Sequence, residues 1–315
     1  MSSTSGKEDR VRTYYGQPVL KEPEWTYEVP WYLFVGGTAG VSSGVAALAR
    51  LRGNQVLADR ARMIAALGAG ASPPLLIADL GRPKRFLHML RVFKPTSAMS
   101  VGSWILAGYS SSAAGAEVLH LLGWFPRLQR ALEAAAALLG PPMATYTGAL
   151  LADSSIPVWH EARRELPFLF GASAVATAGA AATLITPPEH AAAARRLALA
   201  GAAAELAAGP VMKDRLGEVG EVYEEGVAGR YENAAKVCTA VGAALMALGG
   251  RRRRLATLAG SALLLAGGVC QRWAVYRAGF QSAWDPKYVV KPQRDRREAG
   301  KVTPFSSPTS GRNVG

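Results

Sequence analysis

Cysteine and histidine are scarce in this 315-residue sequence, with two of the first and four of the second. Cys238 and Cys270 both lie in apolar stretches and form no CxxC pair or ligand cluster. That excludes a disulfide scaffold, a structural zinc and an iron–sulfur cluster built from this chain alone. The histidines are equally restrictive. His88 and His160 fall in polar connections, while His120 and His190 sit at the opposite ends of apolar runs. A membrane b-type haem needs two imidazoles facing each other from helices at matching depth, so no haem is expected. Residues 1–30 lack a short apolar core followed by a small-residue cleavage site, and no cleaved signal peptide is expected there.

Charge is sparse too, at 19% of residues, and it is clumped into short runs with long apolar stretches between them. The mean hydropathy of +0.10 therefore misleads as an average. A stretch of about 20 mostly apolar residues matches the ~30 Å hydrocarbon core of a bilayer. The pattern predicts an all-α polytopic membrane protein, with spans near 31–49, 62–79, 101–123, 131–152, 167–186, 194–212, 233–249 and 255–277. Around this domain, taken as 31–280, lie a polar arm (1–30) and a polar tail expected to be flexible (281–315). The sixth span is the weakest, because Arg195, Arg196 and Glu205 interrupt it.

The net charge of +13 would suggest nucleic acid in a soluble protein. Here the arginines stand where spans end: Arg50 and Arg52, Arg60 and Arg62, Arg195 and Arg196, and Arg251 to Arg254. They read as anchors beside anionic lipid headgroups, and no nucleic-acid partner is expected. Gly36, Gly40 and Gly44 repeat at four-residue spacing in the first span, which predicts a bare face for close helix packing. Pro73 and Pro74 remove backbone donors and should kink the second.

An even number of spans places both chain ends on one side of the membrane. Basic residues in the short loops are balanced between the two sides, so the positive-inside rule does not orient the chain. A carboxylate within a span costs about 2.5–3.5 kcal/mol on the insertion scale, so each needs a reason. Asp79, Tyr146, Asp153, Glu205, Arg272 and Tyr276 all fall toward the side of the chain ends. Acid, phenol and guanidinium groups from separate helices at one depth suit a site for a polar head group arriving from the membrane. Glu117 and Glu133 fall in the opposite half, where they are candidates for moving protons from that side or for structural hydrogen bonds.

The loop after the second span reads Asp79-Leu80-Gly81-Arg82-Pro83-Lys84-Arg85-Phe86-Leu87-His88 and runs on to Met99-Ser100-Val101-Gly102-Ser103-Trp104. It resembles the signature of the NrfD-like membrane subunits, the family that includes the polysulfide reductase membrane anchor. Trp31-Tyr32-Leu33-Phe34-Val35-Gly36-Gly37, Tyr146-Thr147-Gly148-Ala149-Leu150-Leu151 and Leu166-Pro167-Phe168-Leu169-Phe170 resemble the starts or ends of other family helices, in the same order. The likeness extends over about residues 14–280.

The resemblance implies eight transmembrane helices in two four-helix bundles. It implies a haem-free, quinone-reactive subunit of a respiratory complex in the bacterial inner membrane, rather than an enzyme alone. Electrons would pass between a menaquinone or ubiquinone and a four-cluster ferredoxin-like iron–sulfur subunit. That subunit would connect to a molybdopterin enzyme such as a formate dehydrogenase or polysulfide reductase.

Quinone reduction takes two protons as well as two electrons, so its carbonyl oxygens need donors that exchange protons with water. Asp79 is the expected proton-exchanging residue and Tyr146 a hydrogen-bond donor, with His88 and Asp153 next. Arg82, Glu205 and Arg272 would help hold the quinone, and Glu117 and Glu133 would form a proton path. Arg85, Arg91 and Lys94 would dock the acidic face of the cluster protein. Some relatives carry Asn and His before the first helix. The run Glu24-Trp25-Thr26-Tyr27-Glu28-Val29-Pro30 has neither, which leaves Tyr27 or Glu28 for that role. The competing readings are a secondary transporter or proton channel using the same acids, and a passive anchor.

Overall fold

A computed structural model describes residue 20, residues 23–82, 84–249 and 253–285, and residues 287–288, with the Arg85 side chain outside that description. Most of the arm before residue 23, the tail beyond residue 288, and Arg251 and Arg252 lie outside the described residues. The described residues are helical, with no strand among them. In chain order the helices are α1 (Glu28–Leu51), α2 (Gln55–Asp79), α3 (Lys84–Met89), α4 (Ala98–Leu122), α5 (Pro126–Ala152), α6 (Pro157–Glu161), α7 (Leu166–Ile185), α8 (Ala192–Leu216), α9 (Gly226–Gly249) and α10 (Arg254–Trp284). A 3-10 turn, Gly217–Tyr223, separates α8 from α9.

Local chemistry sets the boundaries. Asn54 caps α2 by accepting from the Leu57 N–H at 3.2 Å, and its amide also donates to the His190 carbonyl at 2.9 Å. Ser97 caps α4, and Gly123, at φ 67°, ends it in the left-handed conformation that glycine adopts without strain. Pro126 and Pro167 stand at the first turns of α5 and α7, where a missing N–H costs nothing. α2 continues as one helix through Pro73 and Pro74.

A helix of 25 residues is about 37 Å long, enough for a ~30 Å apolar layer. By length and composition, α1, α2, α7 and α10 are long and apolar enough to cross a membrane. Leu67, Leu138, Phe168 and Leu248 are each more than two-thirds exposed, so the outer surface is apolar in the manner of a lipid-facing one.

The eight long helices among the described residues form two groups. α1, α2, α4 and α5 pack together, and α7, α8, α9 and α10 form the second group, with α1 and α5 meeting α7 and α10 between them. The glycine face predicted in α1 is only partly used. A Cβ on Gly40 would lie 2.5 Å from the Gly140 carbonyl oxygen, so α1 and α5 touch backbone to backbone there, whereas Gly44 has open space.

Several sequence expectations shift. α8, the weakest candidate, is a continuous 25-residue helix. Its Glu205 turns inward and is only 6% exposed, while Arg195 and Arg196 stand in its first turns. The expected loop 213–232 shrinks, because α8 continues to Leu216 and α9 begins at Gly226. Arg62 is not an interfacial anchor. It is 6% exposed, drawn inward by Glu117 at 3.3 Å and Glu133 at 3.8 Å, with Asp59 of its own helix at 3.4 Å.

Candidate functional site

The start of α1, the end of α2, the start of α4 and the end of α5 meet at one end of the first helix group, together with the chain before α1 and the loop around α3. A small cavity of about 40 Å³ lies between them, lined by Trp25, Tyr32, Asp79, Met99, Ser103 and Tyr146 among others. Most of its wall is apolar side chain, and it has room for about two waters.

Asp79 closes α2, where a carboxylate faces the negative end of the helix dipole and needs compensation. The compensation comes from Thr26. Its backbone N–H donates to Asp79 Oδ1 at 2.8 Å and its hydroxyl donates to the same oxygen at 2.9 Å. Both of these bonds use Oδ1, and Thr26 itself is exposed. The carboxyl group therefore stands between the cavity and the outside.

Tyr146 enters the cavity from α5 because Gly102 on α4 has no side chain. A Cβ on Gly102 would stand 2.3 Å from Tyr146 Cε2. Tyr32 completes the polar set. It is 1% exposed, and its hydroxyl has no hydrogen-bond partner among the described residues. A buried phenol without a partner loses on the order of 1–3 kcal/mol of hydrogen bonding, a deficit that a bound acceptor removes.

The segment carrying Thr26 is pinned from the second helix group. Trp25 stacks on Trp159 with ring centroids 5.2 Å apart, and Tyr276 donates its hydroxyl to the Trp25 carbonyl at 2.7 Å. Trp159 in turn donates its Nε1–H to the Val275 carbonyl at 2.8 Å. Both groups thus hold the cavity's lid.

Of the residues picked out from sequence, Asp79 and Tyr146 come together on this cavity and the others do not. His88 on α3 and Asp153 at the end of α5 are exposed and outside its lining. Glu205 and Arg272 belong to the second helix group. Arg272 donates to the carbonyls of Leu33 at 3.4 Å and Phe170 at 2.9 Å, and its guanidinium lies 4.0 Å from the centre of the Phe170 ring. It ties α10 to α1 and α7. No ion pair joins it to Glu205 among the described residues; Glu205 lines a separate small cavity with Glu232, Lys236, Thr239 and Gln271.

Glu117 and Glu133 are bound up with arginine. Arg50 pairs with Glu133 Oε2, Arg62 reaches both glutamates, and Gln129 donates to Glu133 Oε1 at 3.2 Å. This cluster ties α1, α2, α4 and α5 together at the end opposite Asp79. Arg82, Arg91 and Lys94 are exposed beside the cavity, and the Arg85 side chain lies outside the described residues. The loop they stand on is fastened to α4: Ser100 donates to the Val92 carbonyl at 3.2 Å and accepts from the Lys94 N–H at 3.0 Å.

Tyr27 is 65% exposed, and its hydrogen bond to the Glu28 carboxylate pushes the phenol up from its usual range. Tyr32 lines the cavity, and Tyr27 and Glu28 are not among its lining. The sequence singled Tyr32 out only within the run that resembles the family's first helix. The usable signal was its place one helical turn before Gly36, on the face that packs inward.

A family model described as "Polysulphide reductase, NrfD" matches residues 21–189, more than half of the chain and all of the cavity's lining. No curated protein matches the chain.

Proposed function

Since the chain belongs to the polysulphide reductase NrfD family, membrane subunits of respiratory oxidoreductase complexes, we propose that it exchanges electrons between a quinone pool and an iron–sulfur partner at the cavity between Asp79, Tyr146 and Tyr32. In this reading all eight long helices cross the bacterial inner membrane. The exposed basic loop carrying Arg82, Arg91 and Lys94 faces an acidic ferredoxin-like subunit linked to a molybdopterin enzyme. Attraction between such surfaces steers docking, which brings the nearest cluster above the cavity.

The observation that carries the reading is the meeting of one acid and two phenols from α1, α2 and α5 on a single mostly apolar cavity. Reduction of a quinone to a quinol consumes two electrons from the partner and two protons. The Tyr32 and Tyr146 hydroxyls donate to the carbonyl oxygens, and Asp79 passes protons from water to them. Thr26, exposed and holding only Oδ1, leaves Asp79 in contact with both the cavity and the outside. At about 40 Å³ the cavity is too small for a quinone ring as it stands. Met89 and Met99, unbranched and adaptable, form the part of the wall that yields.

Asp79→Asn tests this in the assembled complex. Quinone reduction should be lost, while partner assembly and reduction of an artificial acceptor by the partner continue. Normal quinone turnover in that variant removes Asp79 from the proton role. A proton-conducting function draws on a different observation, the buried Glu205 and Glu232 of the second group. Proton flux into liposomes holding this chain alone, abolished by Glu205→Gln, would favour it.

A further inference from the structure

A second polar feature lies at the end of the molecule opposite the proposed quinone site. There the end of α7 meets the starts of α8 and α10 around a pocket of about 350 Å³. That is the lower end of the range for small-molecule sites. Among the described residues its polar lining is Thr183, Thr186, Arg195, Arg196, Arg254 and Thr257, three hydroxyls and three guanidiniums with no acid. We propose that this pocket binds a phosphate group, supplied by the head group of an anionic phospholipid.

Three independent features agree. α8 and α10 both begin here without a side-chain cap, at Ala191 and Arg253, so their first-turn N–H groups have no side-chain acceptor. Two helix starts that face one pocket place two positive dipole ends there. Arg195 and Arg254 have no ion-pair partner among the described residues, and Glu189 lines the neighbouring crevice with Arg196. Thr186 is 3% exposed, lines the pocket, and has a hydroxyl with no hydrogen-bond partner among the described residues. A buried unpartnered donor beside guanidiniums and helix starts fits an anion that the protein itself does not supply. Arginine forks match phosphate oxygens two at a time, and Thr186 completes the shell from below.

The source follows from position. The pocket opens where α7, α8 and α10 reach the end of the apolar region, at the depth of lipid headgroups when these helices span the bilayer. A free phosphate would use the same groups, and a zwitterionic head group would bring its cation against three arginines.

The test uses the full-length chain, purified in non-ionic detergent and stripped of lipid. Its thermal unfolding is followed with phosphatidylglycerol, phosphatidylcholine or inorganic phosphate added, and retained lipid is counted by native mass spectrometry. Phosphatidylglycerol should raise the unfolding temperature by several degrees more than phosphatidylcholine, with at least one lipid retained. Arg195→Gln combined with Arg254→Gln should remove the difference, and Thr186→Val should weaken retention severalfold. A matching rise with inorganic phosphate supports the phosphate site and overturns the lipid source. Equal stabilisation by both lipids with none from phosphate, or retention unchanged in the variants, overturns the proposal. Should the double variant fail to fold, Thr186→Val carries the test by itself, and undiminished retention in it counts against the site.

Discussion

A methyl group added at Gly102 presses on the cavity from one side. Its Cβ would stand 2.3 Å from Cε2 and 2.8 Å from Cδ2 of Tyr146. Carbon atoms in ordinary contact are about 3.5–4.0 Å apart, so the ring must retreat by roughly 1 Å or α4 and α5 must part. Overpacking of this kind costs about 1–3 kcal/mol, and the better helix propensity of alanine returns about 1 kcal/mol. Gly102→Ala should therefore fold. A group that positions substrate and is displaced by about 1 Å costs on the order of 10²-fold in rate. The assay is quinone turnover by the assembled complex, read beside its unfolding temperature. The expected result is a loss of about a hundredfold in rate, with assembly intact and the unfolding temperature within a few degrees of wild type. Tyr146→Phe should also slow turnover, and adding Gly102→Ala to it should cost less than Gly102→Ala costs alone, because the two act on one group. Wild-type turnover in Gly102→Ala refutes the placement of Tyr146 against the substrate.

Two further contrasts test the packing and charge arguments. Gly40→Ala should destabilise by about 1–3 kcal/mol because its Cβ meets the Gly140 carbonyl at 2.5 Å, while Gly44→Ala, in open space, should be neutral or slightly stabilising. Thermal unfolding in detergent separates them, and equal stability of the two would remove the backbone contact between α1 and α5. Glu133→Gln should destabilise by about 1–3 kcal/mol, since it leaves Arg62, 6% exposed, and Arg50 short of an acidic partner. Glu205→Gln should be near neutral or stabilising, because Glu205 has no ion-pair partner among the described residues and one of its oxygens is unpartnered. The same unfolding measurement checks both, and the reverse order would contradict the burial argument.

The helices were legible because apolar runs of about 20 residues announce themselves. The union of Asp79 with Tyr146 was legible because each is a polar residue near the same end of its span. What sequence could not carry is rotation about the helix axes. Arg62 read as a surface anchor because it stands near a span start, yet its helix turns it toward Glu117 and Glu133. Glu205 and Arg272 fall toward the same side as Asp79 in the sequence, but their helices belong to the other group, which span position alone does not reveal. Tyr32 was hidden for the opposite reason. Its adjacent residues do not distinguish a phenol that points into a cavity from one that lies in an aromatic belt, and only its place one turn before Gly36 marks the inward face. Thr26 was invisible because its bond to Asp79 links residues 53 positions apart through the shape of the segment before α1.

Labelling of the assembled complex with a photoreactive azidoquinone, followed by peptide mapping, addresses the central claim most directly. The account predicts label on the stretches around Trp25–Tyr32, Leu76–Leu80 and Tyr146–Leu151, competed away by unlabelled quinone and kept in Asp79→Asn, which loses turnover. Label on the α8 and α9 segments around Glu205 and Glu232, or label that quinone does not displace, would contradict it.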